Sequence, residues 1–155
     1  MSDGELLRHL LAVLAYRGAK SVRGAKPEFA TYDTGGGHTP LAILAHLGDL
    51  LDWALTHARG EPKWTTAPLA TWDDQVPRFF ASLAALDGYL ASDAPLLCEP
   101  RRLLAGPIAD ALTHVGQLMM LRRMSGDPVY GENYFVADIT TGRVGPDQAP
   151  PVRNF

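Results

Sequence analysis

The sequence predicts an all-α fold: a single four-helix-bundle domain over residues 1–155, with a long crossover connection and an irregular C-terminal tail packed back on the bundle. Three observations predict it. Four stretches carry apolar residues at three- and four-residue spacing, the pattern of helices that bury one face. Connectors rich in Gly and Pro separate them, and one of these, residues 19–37, is long for a compact bundle. Beyond residue 126 the chain has too much Gly and Pro for a helix, yet too many aromatic and aliphatic residues for a disordered end.

Composition narrows the classes. With 46% hydrophobic and 20% charged residues, the chain has an ordinary globular balance and enough length for a real core. A net charge of −3 gives no basic field for nucleic acid. Cys98 is the only cysteine, which excludes an internal disulfide and favours a reducing compartment. The first residues lack the layout of a signal peptide, and no apolar run is long enough to span a bilayer. A cytoplasmic protein without nucleic-acid or membrane partners is the expectation.

The first helix is expected over residues 2–18. Ser2 and Glu5 have capping-box spacing, Leu6, Leu7, Leu10, Leu11, Val13 and Leu14 give a broad apolar face, and Gly18 offers an end. His9 at the edge of this face reads as a hydrogen-bonded boundary residue. In the 19–37 connector, Phe29 and Tyr32 are expected to pin the loop to the core or roof a cavity. The Gly35–Gly37 run lacks the Lys-Ser/Thr of a phosphate cradle.

The second helix is expected over 39–59, with Thr39 as cap and Pro40 in the first turn. His46 falls in its most apolar part, where a polar ring needs a partner. Asp49 follows on the same face. His38 precedes His46 by roughly 12 Å of helix axis, so the two are not expected to share an ion. His57 reads as a complement to the helix dipole. In the 60–72 connector, Trp64 and Trp72 are expected to cover a bundle end. The third helix, about 73–91, shows an apolar stripe that includes Phe79, Phe80 and Leu83 and offers no evident chemistry. Cys98, in the next connector, has no sequence neighbour that would activate it.

The last helix is expected over 107–126, with Pro107 in its first turn and Gly126 and Pro128 ending it. Arg122 and Arg123 suit its carboxyl end and could also draw an anionic substrate. Asp110 and His114 interrupt the apolar face four residues apart, with Cβ atoms about 6 Å from each other. Such a pair can hold one divalent cation if a third ligand comes from elsewhere. Spacing alone also allows an aspartate placed for the helix dipole and an ordinary hydrogen-bonded histidine. In the tail, Tyr130, Tyr134, Phe135, Val136 and Ile139 are expected to pack on the bundle.

Bundles build metal sites from side chains on facing helices. Here His46 is on one helix, and Asp110 and His114 are on another. Around LAHLGDLLDWAL, which contains His46, and HVGQLMMLRR, which starts at His114, the chain resembles the DinB-like (DinB/YfiT-like) superfamily of metalloenzymes. The family's H-x-x-x-H-x-G-Q pattern falls on Asp110, His114, Gly116 and Gln117, so an aspartate stands where the family has its first histidine. The resemblance implies a divalent metal (zinc, nickel, iron or manganese) on His46, Asp110 and His114. It also implies a transferase that uses a low-molecular-weight thiol, or a hydrolase. Helical spacing then gives Asp49 a role in orienting His46 or accepting a proton, and Gln117 a hydrogen bond to ligand or water. Two other readings stay open: a non-catalytic small-molecule-binding bundle, and a structural homodimer joined through helix faces and tail.

Overall fold

The computed structural model describes residues 1–155; its regular elements are all helical, its connectors and most of its tail are irregular, and one isolated antiparallel bridge joins Glu132 and Asn154. Helix α1 spans Asp3–Val22. Its capping box is closed: Ser2 Oγ accepts from the Glu5 N–H at 3.2 Å, and Glu5 Oε2 accepts from the Ser2 N–H at 2.6 Å. The helix runs straight past Gly18, its expected end. Gly18 is buried beside the Phe79 ring, so it is a packing residue rather than a stop. The turn that follows uses Gly24, at φ +63°. The connector beyond it is partly ordered as a short 3-10 helix, Pro27–Thr31, which buries Phe29 in the core as expected.

Helix α2 spans Pro40–Ala58 and is capped by Thr39, whose hydroxyl accepts from the Ala42 N–H. Helix α3 spans Trp72–Ala91, with a second capping box between Thr71 and Asp74. The fourth rod differs from its expected form. It starts seven residues earlier, as α4, Pro100–Leu103, passes through a π-helical turn, Leu104–Ile108, and continues as α5, Ala109–Met124. Pro100 takes the first-turn role expected of Pro107, which lies inside the π turn instead. A proline has no N–H to donate, and its ring crowds the carbonyl one turn back. The wider π turn accommodates that crowding without ending the rod.

The main helix contacts are α1–α3, α3–α2, α2–α5 and α5–α1. These pairs form a four-cornered bundle with α1 and α2 on one diagonal, so the connector between them crosses from corner to corner. Leu11 and Leu14 of α1, Leu44 and Leu51 of α2, Phe79 and Leu83 of α3, and Ile108 and Leu118 of the fourth rod fill the middle and are fully buried. No helix is long and apolar enough to cross a membrane.

The tail returns over α1 by only some of the contacts expected: Tyr134 packs edge-on to Tyr16, with the Arg17 guanidinium 4.0 Å from its ring centroid. Tyr130 is 77% exposed and Phe135 97%, with Val136 also exposed, while Tyr134 and Ile139 are half-buried. Polar groups anchor this segment. Glu132, fully buried, accepts from the Tyr16 hydroxyl at 2.5 Å and pairs with Lys20 at 2.8 Å. Arg122 is buried too and is not a free cation: it pairs with Asp127 at 2.9 Å and donates to the carbonyls of Ser21 and Arg23. His9 meets the Thr141 hydroxyl at 3.1 Å, the boundary role expected of it.

Candidate metal centre

The α2–α5 contact brings His46, Asp110 and His114 together. His46 lies two turns into α2, and the other two occupy the first turns of α5. One ligand-capable atom from each lies within 4.8 Å of the others, and all three side chains are half-buried. His46 Nε2 is 3.8 Å from Asp110 Oδ2, and the two imidazole rings sit 4.8 Å apart, centroid to centroid. His114 Nδ1 is 2.8 Å from the backbone carbonyl of Asp110. A carbonyl only accepts, so Nδ1 carries the proton and Nε2 keeps its lone pair for a ligand.

These distances can be set against those of a real centre. Nitrogen and oxygen ligands about 2.1 Å from a tetrahedral cation lie about 3.4 Å from one another. The 3.8 Å pair is close to that value, and the bound of 4.8 Å on the widest separation in the group exceeds it by about 1.4 Å. Two imidazoles and a carboxylate are a suitable donor set, and the three side chains can hold a metal ion.

A cavity of about 450 Å³ opens beside the two histidines, and its wall includes His38, Asp49, Trp64, Ala67 and Leu69. His38 therefore faces the same cavity as His46 but is not one of the grouped ligand-capable residues, in keeping with the expectation that the two do not share an ion. Trp64 does not cap a bundle end. Its ring stands 5.7 Å from that of His46 and the same distance, edge-on, from Trp53. The connector carrying it is tied down by Asp49, whose Oδ1 accepts from the Ala67 N–H at 3.1 Å.

Asp49 makes no hydrogen bond to His46. The same oxygen accepts from Arg78 of α3 at 2.7 Å, and Arg78 also pairs with Asp52 at 2.8 Å. Burial opposes the Arg78 charge, but the hydrogen bonds to Asp52 and Asp49 outweigh it and raise the pKa above the usual guanidinium value. Arg78 had no place in the sequence reading. The available signal was a pair of acids, Asp49 and Asp52, three residues apart on a helix with no cation of its own on that face. Gln117 is exposed one turn beyond His114 and makes no side-chain hydrogen bond.

Past Asp110 the surface continues as a groove along α2 and the fourth rod. A shallow stretch borders Asp110, Trp53, Gly106 and Ala109. It leads to a second cavity, of about 460 Å³, bordered by Trp53, His57, Cys98, Arg102 and the π turn. Cys98 is half-buried there, and burial pushes its thiol pKa up, as expected of an unactivated cysteine. Compared with known proteins, the chain matches no family model, no curated protein and no solved structure.

Proposed function

We propose that the protein is a divalent-metal-dependent enzyme of the DinB-like type, which activates a low-molecular-weight thiol or a water for transfer or hydrolysis. The convergence of His46, Asp110 and His114 from two facing helices, beside a cavity large enough for a small substrate, is the observation that supports it. Three protein ligands leave an open position, the layout of catalytic rather than structural centres. Zinc, nickel, iron and manganese all accept such a donor set. The cation, when bound, would supply Lewis acidity that lowers the pKa of a thiol or water at neutral pH.

The chain's own side chains supply the rest. His114 is held in the ligand tautomer by the Asp110 carbonyl. Trp64 stands beside His46 and forms part of the cavity wall. His38 is the exposed imidazole of the cavity wall and the group placed to carry a proton. Asp49, with one oxygen held by Arg78 and Ala67, positions the connector that carries Trp64. Gln117, at the rim, offers an amide to a bound substrate. Because Cys98 is distant and unactivated, a thiol nucleophile would come from a cosubstrate.

Elemental analysis of the purified protein beside His114→Ala, after dialysis without chelator, tests the reading. Near-stoichiometric zinc, nickel, iron or manganese in the wild type and its loss in the variant are expected. Absence of metal from both, even after soaking with excess ion, would overturn it.

A further inference from the structure

The groove beyond Asp110 is the part of the molecule that the metal reading leaves without a role. It runs from Asp110 past Gly106 to Arg102 on the fourth rod, with Trp53 of α2 bordering both the shallow stretch and the second cavity. Eight residues separate Asp110 from Arg102, about 12 Å of helix axis. The floor between them is small and apolar, made by Ala105, Gly106 and Ala109, and Leu50 and Trp53 of α2 also line it. The π turn shapes this floor, and a Cβ built on Gly106 would meet nothing within 4 Å, so the glycine leaves the channel open.

At the far end, the Arg102 guanidinium joins none of the protein's ion pairs and makes no side-chain hydrogen bond, whereas Arg8, Lys20, Arg78, Arg122 and Arg143 are each engaged by Asp or Glu. The His57 ring borders the same cavity, edge-on to Trp53 at 4.7 Å, and also makes no hydrogen bond. A guanidinium fork without a partner, beside an imidazole and at the end of an apolar channel, is suited to a carboxylate. One guanidinium matches one negative charge, so a monoanionic carboxylate fits better than a phosphate dianion.

We propose that the substrate is an elongated molecule with a metal-binding head at His46, Asp110 and His114, an apolar middle along Trp53 and Gly106, and a terminal carboxylate on Arg102. The proposal rests on the metal-centre reading and adds the class of substrate to it. Arg102 is a binding residue, remote from the reacting atoms.

Thiols on cobalt-loaded full-length protein test it, because a thiolate that reaches the ion adds a charge-transfer band whose growth gives a Kd. Mercaptooctanoate has about the length to span the groove, mercaptooctanol has that length without the charge, and mercaptopropionate has the charge without the length. Mercaptooctanoate should bind about tenfold tighter than mercaptooctanol, the worth of a hydrogen-bonded charge. Arg102→Gln should abolish that advantage, whereas Arg101→Gln, a change at an exposed neighbour outside the cavity, should keep it. Equal binding of the two long thiols, an advantage that survives Arg102→Gln, or mercaptopropionate binding as well as mercaptooctanoate would overturn the carboxylate subsite while leaving the metal centre intact. A protein that takes up no cobalt and shows no band with any thiol would overturn the metal centre, and the subsite with it.

Discussion

A methyl group at position 18 has nowhere to go. A Cβ built on Gly18 lies 2.6 Å from Cε1 and 2.7 Å from Cζ of Phe79, and Phe79 is fully buried. Two effects oppose each other in Gly18→Ala. Alanine favours a helix interior by about 1 kcal/mol over glycine. Forcing an extra carbon into a packed core costs about 1–3 kcal/mol. Because the ring cannot retreat into solvent, the second effect should win, with a net loss of about 1 kcal/mol in the urea unfolding free energy. An unchanged or raised midpoint would show that Phe79 repacks freely. The same residue marks a boundary of what sequence reveals. Ser2 with Glu5 and Thr39 with Pro40 were legible as helix starts because the chemistry of a cap is local. A glycine after an apolar stripe looks the same whether it ends a helix or admits a ring from another one. Only the distant Phe79 distinguishes the two.

Between elements, α2 and α3 are joined by charge as well as by apolar packing. The Arg78 guanidinium reaches across to the Ala45 carbonyl, Asp49 and Asp52, and the Ser82 hydroxyl donates to Asp52 at 2.6 Å. It lies over Gly48, where a built Cβ would be 2.9 Å from the guanidinium carbon, so the absence of a side chain there admits the bridge. Asp49 is only 4% exposed. Arg78→Met would leave its carboxylate with the Ala67 amide alone, at a cost of about 2 kcal/mol, below the range for a fully buried pair because Arg78 is itself partly solvated. Adding Asp49→Asn to Arg78→Met should recover part of the loss, since a neutral amide needs less compensation. A loss under about 0.5 kcal/mol in urea titrations would place the pair among ordinary surface ion pairs. None of this could be read from α3, whose apolar stripe was clear while the partners of Arg78 were not. The metal-capable group was legible because a stripe of apolar residues makes each interruption visible, and His46, Asp110 and His114 were such interruptions. The start of the fourth rod was misplaced for a related reason: Pro107 suits a first turn by local rules, and the π turn that contains it has no local signature. Trp64 escaped because its place beside His46 depends on how the 60–72 connector folds back.

At the scale of the whole molecule, the tail is fastened by buried polar contacts together with a few apolar ones, Val144 in the core and Tyr134 against Tyr16, so only part of the aromatic packing expected of it is present. Tyr130 and Phe135 face solvent, while Glu132 reaches inward to Tyr16 and Lys20, and Asp127 to Arg122. Burial, followed by the hydrogen bond to Glu132 and the nearby charges of Glu132, Tyr134 and Asp138, raises the Tyr16 pKa well above its ordinary 10.0. The sign of the consequence follows from linkage. A group whose folded pKa is raised contributes stability that is complete below its unfolded pKa and is lost as pH climbs from that value through the folded one. The tail attachment should therefore be intact at neutral pH and weaken progressively above about pH 10. Other groups titrate in that range, so the contrast with Tyr16→Phe isolates this one. At neutral pH the variant should be less stable by about 1–2 kcal/mol, because buried Glu132 loses a donor and keeps only Lys20. As pH rises past 10, the wild type should lose stability faster than the variant, and the gap between their urea midpoints should narrow. A gap that stays constant across the range would mean that the Tyr16 proton is not coupled to closure of the tail.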